Sequence, residues 1–201
     1  MRFFTSDTHI NHIRAVEKFR NSQFKTIDEM NWAIVNNINS VVTEADTLFI
    51  LGDVFFQPKK KMEENKNILN NILCKNIQVA LGNHDTIANL IEVGFKAENI
   101  FETKMIKING VEFVLGHLPY VDYRTERDIT DRAWLSFPSI QINPNTGRPF
   151  KRLSGHVHET WRLRPHNLNV GVDVNNFMPL SETEIMELFQ TTHEFRDMLD
   201  K

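Results

Sequence analysis

Cysteine occurs once, at Cys74, in a chain of 201 residues. One thiol cannot build an intramolecular disulfide framework, and it fits a reducing compartment. No stretch approaches the roughly 18 consecutive apolar residues that a membrane span requires. An export signal has no room, because the first predicted strand already ends in the polar triplet Asp7-Thr8-His9. The expectation is a cytoplasmic protein. A basic excess is also missing: 23 Lys and Arg stand against 26 Asp and Glu, with a net charge of −3 and a pI near 6.2. That balance argues against a dedicated nucleic-acid coat and leaves room for a local basic pocket. The sequence has no internal repeat, linker or low-complexity segment. Its 41% hydrophobic content suits one globular domain, residues 1–201, with a sizeable core.

The central feature is Leu81-Gly82-Asn83-His84-Asp85. Asn76-Ile77-Gln78-Val79-Ala80-Leu81 reads as a buried strand, Gly82 marks a turn, and an amide, an imidazole and a carboxylate follow. The arrangement recurs. Thr47 to Leu51 runs into Gly52-Asp53, Val111 to Leu115 into Gly116-His117, and Leu153-Ser154 into Gly155-His156-Val157-His158. Met1 to Ser6 reads as a strand ending at Asp7-Thr8-His9. Five strands thus deliver polar groups from their carboxyl ends, the edge where sites form in open α/β sheets.

The rest of the chain supplies the scaffold. Ile13, Val16 and Phe19 recur at helical spacing. Thr26-Ile27-Asp28-Glu29 has the form of a capping box opening a helix whose Met30, Ile34, Ile38 and Val41 would face a sheet. Past a loop with Pro58, Met62, Leu69, Ile72 and Leu73 form another stripe, and Ile87 to Val93 is a short helix ended by Gly94. Asn109-Gly110, between alternating runs over 104–115, is a type I′ hairpin signal. Residues 118–150 are the least regular stretch. Strands are predicted again over 150–154, 160–164 and 168–174, and Ser181 to Glu184 opens a C-terminal helix through Ile185, Leu188, Phe189 and Phe195. Strand and helix alternate early and strand dominates late. The expected fold is α/β, two packed sheets with helices outside.

Four imidazoles, two carboxylates and an amide at these turns offer nitrogen and oxygen but no thiolate, a set suited to Mn²⁺, Fe²⁺, Zn²⁺ or Ni²⁺. Seven ligands exceed one tetrahedral zinc and suit two metals, which about 3.5–4 Å apart clamp an in-line displacement. Two divalent ions carry four positive charges against Asp7, Asp53 and a bridging hydroxide. The excess favours an anionic substrate such as a phosphate ester, and the neutral amide of Asn83 preserves it.

Asp7-x-His9, Gly52-Asp53, Gly82-Asn83-His84-Asp85, Gly116-His117 and Gly155-His156-x-His158 resemble, in order and spacing, the five motifs of the calcineurin-like metallophosphoesterases, over residues 3 to 174. The resemblance implies a two-sheet β-sandwich flanked by helices in four αββα layers, with a dinuclear site. It implies that Asp7, His9 and His158 hold one metal, that Asn83, His117 and His156 hold the other, and that Asp53 bridges them. His84 would contact the phosphate and protonate the leaving group while a metal-bridging hydroxide attacks phosphorus in line. An imidazolium suits that role near neutral pH. Asp85 would orient the His84 ring or cap the helix beginning at Thr86; the cap is preferred here. Manganese is the first choice of metal, with iron, zinc, nickel or magnesium behind it.

Gly52-Asp53 continues as Val54-Phe55-Phe56-Gln57 without the Asp-Arg-Gly of Ser/Thr protein phosphatases, which argues against protein phosphatase activity. Glu29-Met30-Asn31, Gly155 to Glu159 and Asn169 to Val174 look more like the small prokaryotic and phage-type phosphoesterases. Asn11 and His12 are candidates to touch substrate or to support the ligands. Arg20, Arg124, Arg127, Arg132 and Arg148 are candidates for a bidentate phosphate contact, and Tyr120, Tyr123 and Trp134 for stacking on a nucleobase. His166 and His193 are read as surface residues. The leading reading is a hydrolase acting on a small nucleotide-like mono- or diester. A nuclease on single-stranded ends and a non-catalytic interaction scaffold are the alternatives, the scaffold disfavoured because every ligand and His84 are present.

Overall fold

The computed structural model describes residues 1–56, 58–120 and 138–199. The first sheet is built from β1 (Arg2–Thr5), β2 (Thr47–Ile50), β3 (Asn76–Ala80), β4 (Ile100–Phe101) and β10 (Leu180–Ser181), in the order β10-β1-β2-β3-β4. Its strands are parallel except β10. The second contains β5 (Thr103–Ile108), β6 (Val111–Gly116), β7 (Lys151–Ser154), β8 (Leu163–Arg164) and β9 (Asn167–Asn169), in the order β5-β6-β7-β9-β8. There β6, β7 and β9 are parallel and the outer pairs antiparallel.

Alternation along the strands creates two cores, because successive side chains leave a strand on opposite faces. Phe3, Leu48, Ile50, Ile77 and Val79 pack with Met30, Val35 and Ile38 of α2 (Ile27–Val41), Ile68 of α3 (Met62–Asn70) and Leu90 of α4 (Ile87–Val93). Phe4, Phe49, Leu51 and Ala80 point the other way, against Phe113, Leu115, Leu153 and Leu168 of the second sheet. Phe4 stacks on Phe49 at 5.1 Å. Ile185 and Phe189 of α5 (Glu182–Leu199) join this inter-sheet core. Two sheets packed face to face and flanked by helices are therefore the observed architecture. Among the described residues, no helix is long and apolar enough to cross a membrane.

Local signals act largely as expected. Thr26 caps α2 by accepting from the Glu29 N–H, but the Glu29 carboxylate reaches the Lys25 N–H rather than that of Thr26. Ser181 and Glu184 form the fully reciprocal box at α5. Asn109 and Gly110 both take positive φ, 46° and 83°, in the two-residue turn between β5 and β6. Gly94 ends α4 at φ 132°.

Several expectations shift. The first short helix, α1 (Ile13–Lys18), buries Ala15 and Val16 and leaves Ile13 and Phe19 exposed. Val41 and Leu73 are also exposed, while Val42 and Ile68 take the inward places. The strand expected over 168–174 ends at Asn169, and residues 172–174 form a 3₁₀ turn. The reason is side-chain competition for the ladder: Asn175 donates to the carbonyls of Asn169 and Gly171, and Asn169 accepts from the Gly171 N–H. Of the strand expected over 160–164 only Leu163–Arg164 forms, because residues 158–160 make a 3₁₀ turn. The Phe195 side chain lies outside the described residues.

Candidate metal centre

The parallel strands bring their carboxyl ends to one edge, and backbone hydrogen bonds continue past the strands. The loops after β1 and β2 are joined by Asp7 N–H to Gly52 O (3.0 Å), His9 N–H to Asp53 O (3.0 Å) and Ile10 N–H to Val54 O (2.9 Å). Gly155 N–H to His117 O (3.0 Å) joins the loops after β7 and β6. The Asp7 carboxylate then accepts the His156 N–H from the opposite sheet, at 2.9 and 3.1 Å.

Asp7, His9, Asp53, His156 and His158, five of the seven expected ligands, adopt left-handed backbone with φ between 44° and 72°. Such conformations are uncommon outside glycine and collect where surrounding structure holds functional groups in place. Tight spacing enforces this arrangement. A Cβ on Gly52 (φ 94°) would meet His117 Nδ1 at 2.5 Å, and one on Gly155 would overlap the Asp7 carboxylate and Ser6 Oγ.

The seven expected ligands come together. Asp7, His9 and His158 offer ligand atoms within 4.8 Å of one another, as do Asp7, Asp53 and His117. Asn83 Oδ1, His117 Nε2 and His156 Nδ1 lie 2.9–3.2 Å apart. Asp53 Oδ2 stands 3.7 Å from His9 Nε2 and 3.5 Å from His117 Nε2, facing both groups. Asp7, His9, Asp53 and His117 are buried, His156 and His158 half-buried, and Asn83 and His84 exposed.

This donor set fits a cation. His117 Nδ1 lies 2.9 Å from the Leu51 carbonyl, which can only accept, so Nδ1 is the donor there and Nε2 is the nitrogen turned toward the oxygen of Asn83. Among the described residues, neither ring nitrogen of the buried His9 has a hydrogen-bond partner. Burial, reinforced by His158 and Arg20, pushes the His9 pKa down to about 2, which keeps it neutral and able to donate a lone pair. Burial beside His117 lowers His156 as well. For His158, burial is the largest influence and disfavours the charge, but the hydrogen bond to Asp173 and the negative charges of Asp7 and Asp173 together outweigh it and raise the pKa.

His84 faces the opening. Its backbone N–H donates to Asp53 Oδ1 (2.9 Å), and its ring lies edge-on to His9 and Phe56. Asp85 is neither a helix cap nor a partner of the His84 ring. Thr86 caps α4 by accepting the Asn89 N–H. The Asp85 carboxylate instead accepts the N–H groups of Asp53 (2.7 Å), Gly82 (3.0 Å) and Val54 (3.3 Å), tying the loop after β2 to the loop after β3. Burial raises its pKa to about 6, against the hydrogen bond from Gly82.

Other candidates are redistributed. Asn11 is buried in an amide cluster with Asn31 and Asn65. His12 stacks on Phe56 with ring centroids 3.7 Å apart and lies 5.1 Å from the His9 ring. Arg20 is wholly buried and faces Asp173, away from solvent. Arg148 is exposed beside Lys151 and His166, at the amino-terminal end of the second sheet. Tyr120 is buried under Arg152 and is no stacking platform. Tyr123, Arg124, Arg127, Arg132, Trp134 and the His193 side chain lie outside the described residues. Sequence reasoning missed Asp173, which no local pattern links to His158 or Arg20.

The family model for calcineurin-like phosphoesterases matches residues 3–189. The uncharacterised protein MJ1445 of Methanocaldococcus jannaschii is 28% identical over 98% of this chain and 96% of its own. The Gene 66 protein of Mycobacterium phage L5 is 26% identical over 96% and 95%. Among solved structures, AQ665 of Aquifex aeolicus, a protein of unknown function, superposes with a TM-score of 0.62 at 25% identity, covering 94% of this chain and 98% of that one. A match across both sheets and all five turn motifs leads to one conclusion: this chain belongs to the calcineurin-like phosphoesterase family.

Proposed function

We propose that the protein hydrolyses a small phosphomono- or phosphodiester, nucleotide-like in its chemistry, with two divalent metal ions, manganese first among them. The observation that carries this reading is the convergence of Asn83 Oδ1, His117 Nε2 and His156 Nδ1 within 3.2 Å of one another. Three electron-pair donors so close together repel unless a cation or proton lies among them. Asp7, His9 and His158 would hold one ion and Asn83, His117 and His156 the other, with Asp53 Oδ2 shared. Bound divalent ions supply Lewis-acid stabilisation of phosphoryl charge and a nucleophile from water at neutral pH.

The chain's own residues do the rest. Asp7 and Asp53 contribute the two buried carboxylates of the site, too few to cancel two divalent charges, so the site stays attractive to an anion. His84 is exposed at its mouth while its backbone N–H is fixed to Asp53. Its ring can donate to a phosphoryl oxygen and pass a proton to the leaving oxygen. The complete ligand set supports catalysis over a scaffold role.

The test is cleavage of bis(p-nitrophenyl) phosphate and p-nitrophenyl phosphate by metal-stripped protein, with and without added Mn²⁺. Turnover restored by Mn²⁺ in the wild type and absent in Asp53→Asn is the expected result. A wild type that neither binds metal nor turns over either ester would overturn the proposal.

A further inference from the structure

Two phenylalanines stand at the edge of a site built from imidazoles, carboxylates and an amide. Phe19, at the end of α1, is 37% exposed, and Phe56, in the loop after β2, is half-buried. His12 lies between them, stacked on Phe56 with centroids 3.7 Å apart and planes 11° from parallel, and edge-on to Phe19 at 6.5 Å. The row meets the site at both ends. Phe19 is edge-on to the His158 ring at 5.2 Å, and Phe56 to the His84 ring at 5.5 Å. Backbone hydrogen bonds hold all three members: Phe19 N–H to Ala15 O (3.2 Å), His12 N–H to His9 O (3.0 Å) and Phe56 N–H to Ile10 O (3.0 Å).

We infer that His12, Phe19 and Phe56 form a wall that receives a planar aromatic group of the phosphoester, so that the site selects aryl or nucleobase-bearing esters over aliphatic ones. This rests on the phosphoesterase reading above. Phe56 sets the direction. It touches His84, which that reading makes the proton donor to the leaving oxygen, so a substituent on that oxygen departs past Phe56. Aromatic rings pack offset or edge-on with centroids about 4.5–7 Å apart, and the row already presents rings at fixed positions for a further one to join. Small-molecule sites combine such aromatic lining with a few placed polar groups, here the imidazoles and carboxylates beside it.

Core packing does not account for the row. Phe55, the preceding residue, is 3% exposed and fills the helix-side core, while Phe56 meets His12 and His84 instead. A lone exposed phenylalanine needs no explanation; two that flank a histidine and reach both His84 and His158 make a continuous surface. His117 and His156 turn to each other at 5.0 Å and to the Asn83 oxygen. Tyr120 is buried under Arg152. An aromatic substituent is thus directed to the Phe56 side.

The experiment is calorimetric binding of uncleavable phosphonates to the Mn²⁺-loaded protein, so the readout does not depend on turnover. One pair is phenylphosphonate and methylphosphonate; the other is the phosphonate analogue of AMP and that of ribose 5-phosphate. The aromatic member of at least one pair should bind about 10-fold tighter, the effect of burying about 60 Å² of ring. A preference in the first pair identifies an aryl ester as the ligand class, and one in the second a nucleotide. Phe56→Leu and Phe19→Leu keep apolar bulk and remove the ring. Each should cut the preference about 2–10-fold while methylphosphonate affinity, Mn²⁺ content and Tm stay near wild type. Equal binding within both pairs, or a preference unchanged in the Phe19→Leu, Phe56→Leu double variant, would overturn the wall and spare the phosphoesterase reading. A wild type that binds no phosphonate with Mn²⁺ present would overturn both.

Discussion

Removing the Asp85 carboxylate separates the bracing role described here from a direct part in chemistry. In the wild type Oδ2 accepts from Asp53 N–H at 2.7 Å and Gly82 N–H at 3.0 Å, and Oδ1 from Val54 N–H at 3.3 Å. Asp85→Asn can place its one oxygen where Oδ2 stood and keep the two shorter bonds. Its amide then confronts the Val54 N–H, donor against donor. A hydrogen bond to a charged group is worth about 1.5–3 kcal/mol. Relief of carboxylate desolvation, the main cause of its raised pKa, offsets part of that, so Asn should cost about 1–2 kcal/mol. Asp85→Ala leaves all three N–H groups without a partner, each worth about 1–3 kcal/mol when buried. Water reaches this half-buried site, which holds the total to about 3–5 kcal/mol. For a domain of this size 1 kcal/mol shifts Tm by about 2–4 °C, so Asn should melt about 2–8 °C and Ala about 6–20 °C below wild type. Thermal denaturation of metal-free protein reads both, and Thr86→Ala, which removes the true cap of α4, should cost only about 1 kcal/mol. An Asp85→Ala protein as stable as Asp85→Asn, with its loss confined to kcat, would refute the bracing role and restore the idea that Asp85 serves His84.

His84→Ala should lower kcat by about 10²–10⁴-fold without changing metal content; loss of bound metal would overturn its assignment as a proton donor. Gly155→Ala drives a Cβ into the Asp7 carboxylate and Ser6, so stability should fall by about 1–3 kcal/mol and metal content should drop, measured by melting and mass spectrometry. Asn11→Ala breaks the amide cluster with Asn31 and Asn65 and should destabilise by about 2–3 kcal/mol, whereas a rise in KM alone would identify a substrate contact instead. Saturating Mn²⁺, at about 100 times its Kd, should stabilise the metal-free protein by about 2.7 kcal/mol per ion; an unchanged Tm would contradict metal binding to the folded state.

The sequence by itself determined the strands and the residues at their ends. Continuous apolar runs over Phe3-Phe4, Leu48 to Leu51 and Val79 to Leu81 specify strands buried on both faces. Gly52, Gly82, Gly116 and Gly155 mark where polar groups leave them. The hairpin at Asn109-Gly110 and the caps at Thr26 and Ser181 are equally local, since each depends on neighbours within four positions. Only the tertiary structure decided how those groups are supported. Asp173 was hidden in a run that reads as strand, and its departure from the ladder depends on the side-chain hydrogen bonds of Asn169 and Asn175. Arg20 looks in sequence like a loop cation free for phosphate, yet burial turns it inward to Asp173 and to two carbonyls. Asp85 precedes a helix and reads as a cap, but unpaired N–H groups one strand away claim it. These residues share one physical feature. Their partners are set by which strand ends meet in space, and that information lies in the packing of two cores and not in any window of the chain.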